Sequence, residues 1–552
     1  MWRRWGSGAS PRSWAAAAPA GLAAACAAVS LAVSSAGCVP AASGTGRSGG
    51  PGQARAGAEC PAGRAPDGTA GRQLRGMWIS TVTGLDWPGR PGGPAGRQRA
   101  DFRRLLDTAT ARHLNAVFVQ IRPTADAFYR SPYEPWSQWI TGRQGRDPGY
   151  DVLGFMVREA HARGLEFHAW FNPYRVSRQP DLKRLAATNP ARRHPDWVRR
   201  YGSGLWYDPG LPQVRDLVSG VVLDVVRKYD IDGVHFDDYF YPYPESGDFP
   251  DTATFRRYGK GFASRAAWRR DNVNALVRRV SQEVHGAKPW VRFGISPFGV
   301  WRNASTDRAG SATQALQSYD DIYADSRLWV KKGWVDDIVP QLYWPIGDPR
   351  ADYRTLAAWW ARQVRGTGVR LAIGHAAYRV GEPGPYRNPA ELSRELTAND
   401  RHPEVSGDVF FSARDLAADR RGFAGRLAAD HYSRPALPPE AARRASGPPP
   451  APPAKVTAAV HGRAITVRWR TSGAARYALY RVEGKRPGCA AVDPATLLTT
   501  AAPGSAGGSG GGSVTDRAVR AGVTYTYYVT ALDRVHRESA PARGSTITVP
   551  RG

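Results

Sequence analysis

The chain has 552 residues, 42% of them hydrophobic, so it can bury at least one large core and is not generally disordered. A formal net charge of +28 brings nucleic-acid binding to mind. However, the basic residues are spread along the whole length and accompany no recognition helix, RNP-like strand or zinc finger, so the charge fits a surface facing an anionic wall or membrane, with no nucleic-acid partner.

The first element is a leader. Arg3, Arg4 and Arg12 precede an Ala-rich apolar stretch over 14–37, the pattern of an export signal, too weakly apolar for a retained membrane anchor. Ser35-Ala36-Gly37-Cys38 resembles a bacterial lipobox and predicts lipidation of Cys38, hence an exported, membrane-anchored lipoprotein of the cell envelope. Ser35 stands where a Leu is usual, so plain secretion is the alternative. Residues 39–71 read as a Gly/Ala/Pro/Ser/Arg tether. The four cysteines, Cys26, Cys38, Cys60 and Cys489, have no metal-ligand spacing, and no disulfide, metal site or cofactor is expected.

From Leu74 onward short apolar runs alternate with amphipathic stretches. Strands are predicted at Leu74–Val82, Asn115–Arg122, Glu166–Asn172, Gly233–Tyr239, Val291–Pro297, Asp336–Trp344, Val369–His375 and Asp408–Ser412. Helical patterns follow near 99–113, 150–163, 213–229, 268–285, 312–332, 351–365, 389–397 and 414–430. Eight strand–helix units predict an α/β fold, a (β/α)8 TIM barrel over 72–432. An open doubly wound sheet is disfavoured because no glycine-rich phosphate loop follows the first strand. A Pro-rich linker over 433–453 leads to a small all-β segment at 454–550. Its strands are predicted at Ala464–Trp469, Arg476–Val482, Ser513–Asp516, Thr524–Leu532 and Ser545–Val549, and it resembles a fibronectin type III sandwich serving as a spacer.

Chemistry in such a barrel belongs at the C-terminal strand ends. Unusual polar and aromatic residues fall there: Arg122 on strand two; His168, Trp170 and Asn172 on strand three; His235, Asp237, Asp238 and Tyr239 on strand four; Ser296 on strand five; Gln341, Tyr343 and Trp344 on strand six. Alternation puts His168, Trp170 and Asn172 on one face, and His235 and Asp237 on one face. The competing account is a hydrogen-bonded network that only shapes the barrel mouth. Asp237 is the leading catalytic carboxylate, ionised and facing an anomeric centre, with His235 orienting or charge-pairing it. The second carboxyl that glycoside hydrolysis needs has three candidates, Glu134, Asp325 and Asp238.

Several longer motifs are specific. They include Arg75-Gly76-Met77-Trp78-Ile79-Ser80, Asn115-Ala116-Val117-Phe118-Val119-Gln120-Ile121-Arg122-Pro123, Ala169-Trp170-Phe171-Asn172-Pro173-Tyr174-Arg175, Asp232-Gly233-Val234-His235-Phe236-Asp237-Asp238-Tyr239 and Ile295-Ser296-Pro297-Phe298-Gly299-Val300-Trp301-Arg302. With these, residues 74–432 resemble the bacterial glycosyl-hydrolase-like family 10, which includes divisome-localised glycosyl hydrolase lipoproteins. The resemblance implies a (β/α)8 barrel and hydrolysis of O-glycosyl bonds in cell-wall glycan, with peptidoglycan strands lacking stem peptides as substrate. It also implies that Asp237 is the strand-four carboxylate, and it supports an anchor at Cys38. No obligate protein partner follows. The alternatives are a non-catalytic wall-glycan-binding protein and a hydrolase of another polysaccharide.

Overall fold

The computed structural model describes residues 71–470, 473–485, 492–503, 511–542 and 544–551. The leader, Cys38 and the other cysteines lie outside the described residues.

Eight parallel strands close into a barrel: β1 (Leu74–Ile79), β2 (Ala116–Arg122), β3 (Glu166–Phe171), β4 (Gly233–Phe236), β5 (Arg292–Ile295), β6 (Asp337–Ile338), β7 (Arg370–His375) and β8 (Val405–Phe410). Each strand pairs with its sequence neighbours and β8 closes on β1. The outer layer includes α1 (Ala95–Ala111), α2 (Val152–Ala162), α3 (Pro212–Lys228), α4 (Arg265–Ala287), α5 (Ser326–Lys331), α6 (Tyr353–Val364), α7 (Glu391–Asn399) and α8 (Phe423–Asp430). Their starts are set locally. Asp151, Ser264 and Asp352 accept backbone N–H bonds from Gly154, Ala267 and Thr355 at 3.0, 3.1 and 3.0 Å, satisfying donors the first turn leaves open.

Several predicted elements are shorter than the sequence pattern suggests, among them strands one and four and the helix over 414–430, which is two (Ala413–Ala418 and α8); strand six and the helix over 312–332 depart most. β6 ends after Ile338, because Pro340 has no N–H to give the ladder. The following backbone stays in strand-like contact, with Gln341 N donating to Pro297 O at 3.0 Å and Leu342 N to Gly374 O at 3.0 Å. The helix expected over 312–332 is two short ones, Ser318–Asp321 and α5. The residues before them fold around Asn303 instead, which donates to Ala315 O at 2.9 Å and accepts from Thr313 Oγ1 at 2.7 Å.

Inward side chains fill the barrel in layers. Glu166, Arg292, Asp337 and Arg370 occupy the N-terminal layer of their strands. Leu74, Trp78, Ala116, Phe118, Trp170, Val339, Ala372, Val409 and Phe411 form one apolar cluster in the interior. His168 stacks on Phe118 with ring centroids 4.3 Å apart. The neighbouring strand makes room through Gly233, where a Cβ would lie 2.3 Å from His168 Nδ1.

The described residues of 454–548 include seven strands, β9 (Ala454–His461), β10 (Ala464–Arg470), β11 (Arg476–Glu483), β12 (Leu497–Ala501), β13 (Gly511–Asp516), β14 (Thr524–Leu532) and β15 (Ser545–Thr548). They make two antiparallel sheets, β9-β10-β13 and β12-β11-β14-β15, around Trp469, Tyr477, Tyr525 and Tyr527. β9 and β12 were absent from the pattern reading, because their partly exposed residues alternate weakly. This all-β module packs on the N-terminal end of the barrel. Arg476 Nη2 donates to Leu165 O at 3.0 Å, Arg72 pairs with Glu538 at 2.8 Å, and the buried His536 bonds to Glu166.

Between barrel and helices, His375 is buried with both ring nitrogens at 2.9 Å from carboxylates, Nδ1 from Glu395 and Nε2 from Asp408. Burial alone would lower its pKa, but the bonds to Asp408 and Glu395 outweigh it and raise the value to about 9. The unfolded chain titrates near ~6.5, so the folded state keeps a proton the unfolded state loses. The resulting stabilisation is complete below pH ~6.5 and is lost as pH rises through 9, on the order of 3 kcal/mol in all. Denaturant unfolding should therefore show stability declining between these pH values in the wild type and a shallower decline in His375→Gln. Equal slopes in the two proteins would remove His375 as the source.

Candidate active site

The C-terminal end of the barrel gathers the polar residues of strands three to six. Trp170 on β3 is in register with His235 on β4, so Asn172 and Asp237 stand side by side one step nearer the mouth. Asp237 accepts from Trp170 Nε1 and Asn172 Nδ2, both at 3.0 Å on Oδ2, and from the Tyr239 backbone N–H at 3.1 Å on Oδ1. Three donors fix the carboxyl plane. Asp238 also faces the mouth, because β4 has already ended and strand alternation no longer applies. Its Oδ1 accepts from Gln341 Nε2 at 2.9 Å and its Oδ2 from the Tyr243 hydroxyl. Gln341 is held in turn, donating to Ser296 O at 2.9 Å.

Both carboxyls are buried, with Asp237 4% exposed. Burial pushes Asp237 up to about 7; the neighbouring Asp238 adds to the rise, and Arg175 opposes it. Burial raises Asp238 as well. Like charges this close cannot both ionise freely, so the pair keeps a proton near neutral pH. The sequence expectation of a plainly ionised Asp237 changes accordingly. The pair can offer one proton and one negative charge, the two things cleavage of a glycosidic bond asks for.

Aromatic rings line the mouth. Trp206 lies 6.1 Å from Tyr239, Tyr239 5.6 Å from Tyr243, Tyr243 6.1 Å from Phe298 and Phe298 5.4 Å from Trp344 (centroid distances), a continuous arc. Tyr343 lies 5.9 Å from Tyr378 and packs on Phe411. Such rims present flat apolar faces with polar tips.

The structure brings Asp237, Asp238, Trp170, Asn172, Tyr239, Gln341, Tyr343 and Trp344 to this mouth. It assigns six other candidates to different work. Glu134 is not an available acid. Both its oxygens accept from Arg122, Oε2 from Nε at 2.8 Å and Oε1 from Nη2, with neither side chain exposed. Arg122 is therefore not a free substrate-binding cation. It also donates to the carbonyls of Asn172 and Pro173 and so holds the Asn172 backbone in place. Asp325 caps α5, accepting from Leu328 N at 3.1 Å and from Trp301 Nε1 at 3.0 Å. His168 is two residues deeper than Trp170, near Arg292 Nη2 at 3.0 Å and Glu166 at 3.2 Å. His235 neither orients nor charge-pairs Asp237. Burial, with His168 beside it, holds it well below the ordinary imidazole range, and its neutral Nε2 accepts from Trp78 Nε1 at 3.2 Å and Ser296 Oγ at 3.0 Å. Ser296 thereby has its hydroxyl engaged beneath the mouth.

Arg175, Trp206, Tyr243, Phe298 and Tyr378 were not singled out from sequence. Arg175 and Trp206 face each other in a small antiparallel sheet (Arg175–Ser177, Val198–Tyr201, Gly204–Tyr207) inserted after β3. Strands of three and four residues leave almost no periodic signal. Tyr243 and Phe298 sat just beyond predicted strand ends, where a search limited to the strands stops.

Residues 73–391 match the glycosyl hydrolase-like 10 family. The protein named glycosyl hydrolase YngK from Bacillus subtilis (strain 168) is 45% identical over 487 residues, covering 86% of this chain and 93% of its own. Glycosyl hydrolase DigH from Escherichia coli (strain K12) is 42% identical over 377 residues, 64% of this chain and 86% of its own. Among solved structures, the glycoside hydrolase domain of PgaB (BpsB) from Bordetella bronchiseptica superposes with a TM-score of 0.44 at 15% identity, covering 65% of this chain and 98% of that one.

The coupling of the two aspartates is measurable. Replacing Asp238 with Asn removes the neighbouring charge that helps to raise Asp237, so the Asp237 pKa should drop below its value of about 7. Carbon-13 NMR titration of labelled carboxyl carbons reads this directly. An unchanged value would assign the whole rise to burial and dissolve the pair.

Proposed function

Because the chain belongs to the glycosyl hydrolase-like 10 family, we propose that it hydrolyses O-glycosyl bonds in cell-wall glycan, with peptidoglycan strands lacking stem peptides as substrate and Asp237 as a catalytic carboxylate. The observation that carries this reading is the buried Asp237–Asp238 pair at the end of β4, one member fixed by Trp170 and Asn172 and the other by Gln341 and Tyr243. The names of the relatives support the reaction class.

In this mechanism the glycan strand lies along the aromatic arc with a glycosidic oxygen at the carboxyl pair. The protonated member gives its proton to the departing oxygen as the C1–O bond breaks. The ionised member faces the oxocarbenium-like centre, where a fixed charge in a low-dielectric site is most effective. Water then adds to C1 and returns a proton to the pair, so atoms and charge balance using only protein carboxyls and water. In the same reading the leader exports the chain, Cys38 anchors it to the membrane as a lipoprotein, and the C-terminal module is a fibronectin type III-like spacer.

Asp237→Asn keeps the shape of the site but loses the titrating carboxyl. Release of soluble fragments from amidase-treated sacculi should fall about a hundredfold or more, while co-sedimentation with sacculi persists. Wild-type protein that binds such sacculi yet releases nothing would overturn the hydrolase in favour of a wall-binding protein.

A further inference from the structure

Arg175 stands beside the carboxyl pair, and among the described residues no ion pair joins its guanidinium to a carboxylate. Its backbone N–H donates to Asn172 Oδ1 at 3.2 Å, which ties it to the residue that orients Asp237. Its guanidinium carbon lies 3.9 Å from the Tyr239 ring centroid and 5.6 Å from that of Trp206, so two aromatic faces hold the charge. The side chain is only half-buried. Contrast Arg122 and Arg292, whose charges are sealed in by Glu134 and Glu166. The Tyr239 hydroxyl accepts from one of its donors, and the planar guanidinium has further in-plane N–H donors whose spacing matches a carboxylate.

We infer that Arg175, on its Tyr239–Trp206 platform, binds a carboxylate carried by the sugar at the cleavage site. This rests on the glycan-hydrolase reading above and supplies the selectivity that reading lacks. In a peptide-free strand each muramic sugar carries a lactyl ether ending in a free carboxylate. Where a stem peptide is attached, that same carboxyl is an amide, without charge and with bulk behind it. One arginine at the mouth then distinguishes bare strands from peptide-bearing ones, and brings a counter-charge that keeps one member of the pair ionised.

Binding is best measured by calorimetry in the Asp237→Asn protein, so that failure of the hydrolytic reading leaves this test intact. The probes are peptide-free peptidoglycan oligosaccharides, the same oligosaccharides with their carboxyls converted to amides, and chito-oligosaccharides of equal length. Adding Arg175→Gln should weaken binding of the first probe about tenfold or more, the effect of losing a hydrogen-bonded charge pair. Amidation of the glycan should cost a similar factor, and combining the two should cost little more than either alone. Chito-oligosaccharide binding should be unaffected, and Arg175→Lys should recover part of the loss. Equal weakening toward charged and neutral glycans would reduce Arg175 to a support for Tyr239 and overturn the inference. Tighter binding of a uronic-acid oligosaccharide than of the lactyl-bearing one would overturn the lactyl assignment.

Discussion

The site depends on the register of a closed parallel barrel. Phe118 pairs in register with His168, His168 with Gly233 and Gly233 with Arg292, so one unbroken register runs through four consecutive strands. Because side chains alternate with period two, a slip of one residue in β4 would turn Asp237 into the helix layer and bring Val234 inward. The same register sets Asn172 beside Asp237, and Gln341 reaches Asp238 through its side-chain amide. The Arg122–Glu134 pair then fixes the point where β3 leaves the barrel, since Arg122 holds the Asn172 carbonyl while the Asn172 side chain holds Asp237. The geometry of the carboxyl pair is thus set by backbone closure first and by one buried ion pair second.

Opposite ends of the barrel treat buried charge in opposite ways. At the N-terminal end burial would raise Glu166, but Arg292 and His536 outweigh it and hold the carboxylate well below the usual range. Asp337 pairs there with Arg370 at 2.6 Å. At the C-terminal end burial also raises Asp237, but the neighbour within the site is another carboxyl and Arg175 only moderates the rise. Desolvation is common to both; the presence of a matched counter-charge decides the outcome. Paired charge gives a fixed floor, whereas an incompletely compensated pair near pH 7 is poised for proton transfer.

What was legible in the sequence follows the same division. Alternation within strands showed which face His168, Trp170, Asn172, His235 and Asp237 share, and all of them do point inward. Depth was not legible, since a period of two gives the side of a sheet and not the level within a barrel. His168 and His235 therefore looked like mouth residues, although they sit beside Phe118 in the packed interior. Partnership across loops was also hidden. Glu134 lies 12 residues from Arg122, in a segment without periodicity, and only the folded loop shows its carboxylate to be fully engaged. The parallel barrel was readable because eight long-range repeats report one architecture, while the Arg175–Trp206 insertion was not, because each of its strands is shorter than the pattern that would reveal it.

The all-β module completes the asymmetry. Every contact named between it and the barrel falls near the N-terminal ends of the strands. Arg476 reaches the carbonyl before β3, Arg534 pairs with Asp230 ahead of β4, and His536 enters the layer of Glu166. An open barrel floor would expose Glu166, Arg292, Asp337 and Arg370 to water and weaken each pairing through the higher dielectric. With the floor covered, those charges stay paired and the strands stay in register up to the level of Asp237. None of the contacts named between the module and the barrel involves a mouth residue. Its structural contribution is therefore at the far end of the barrel from the chemistry, where it supports the levels on which the carboxyl pair stands.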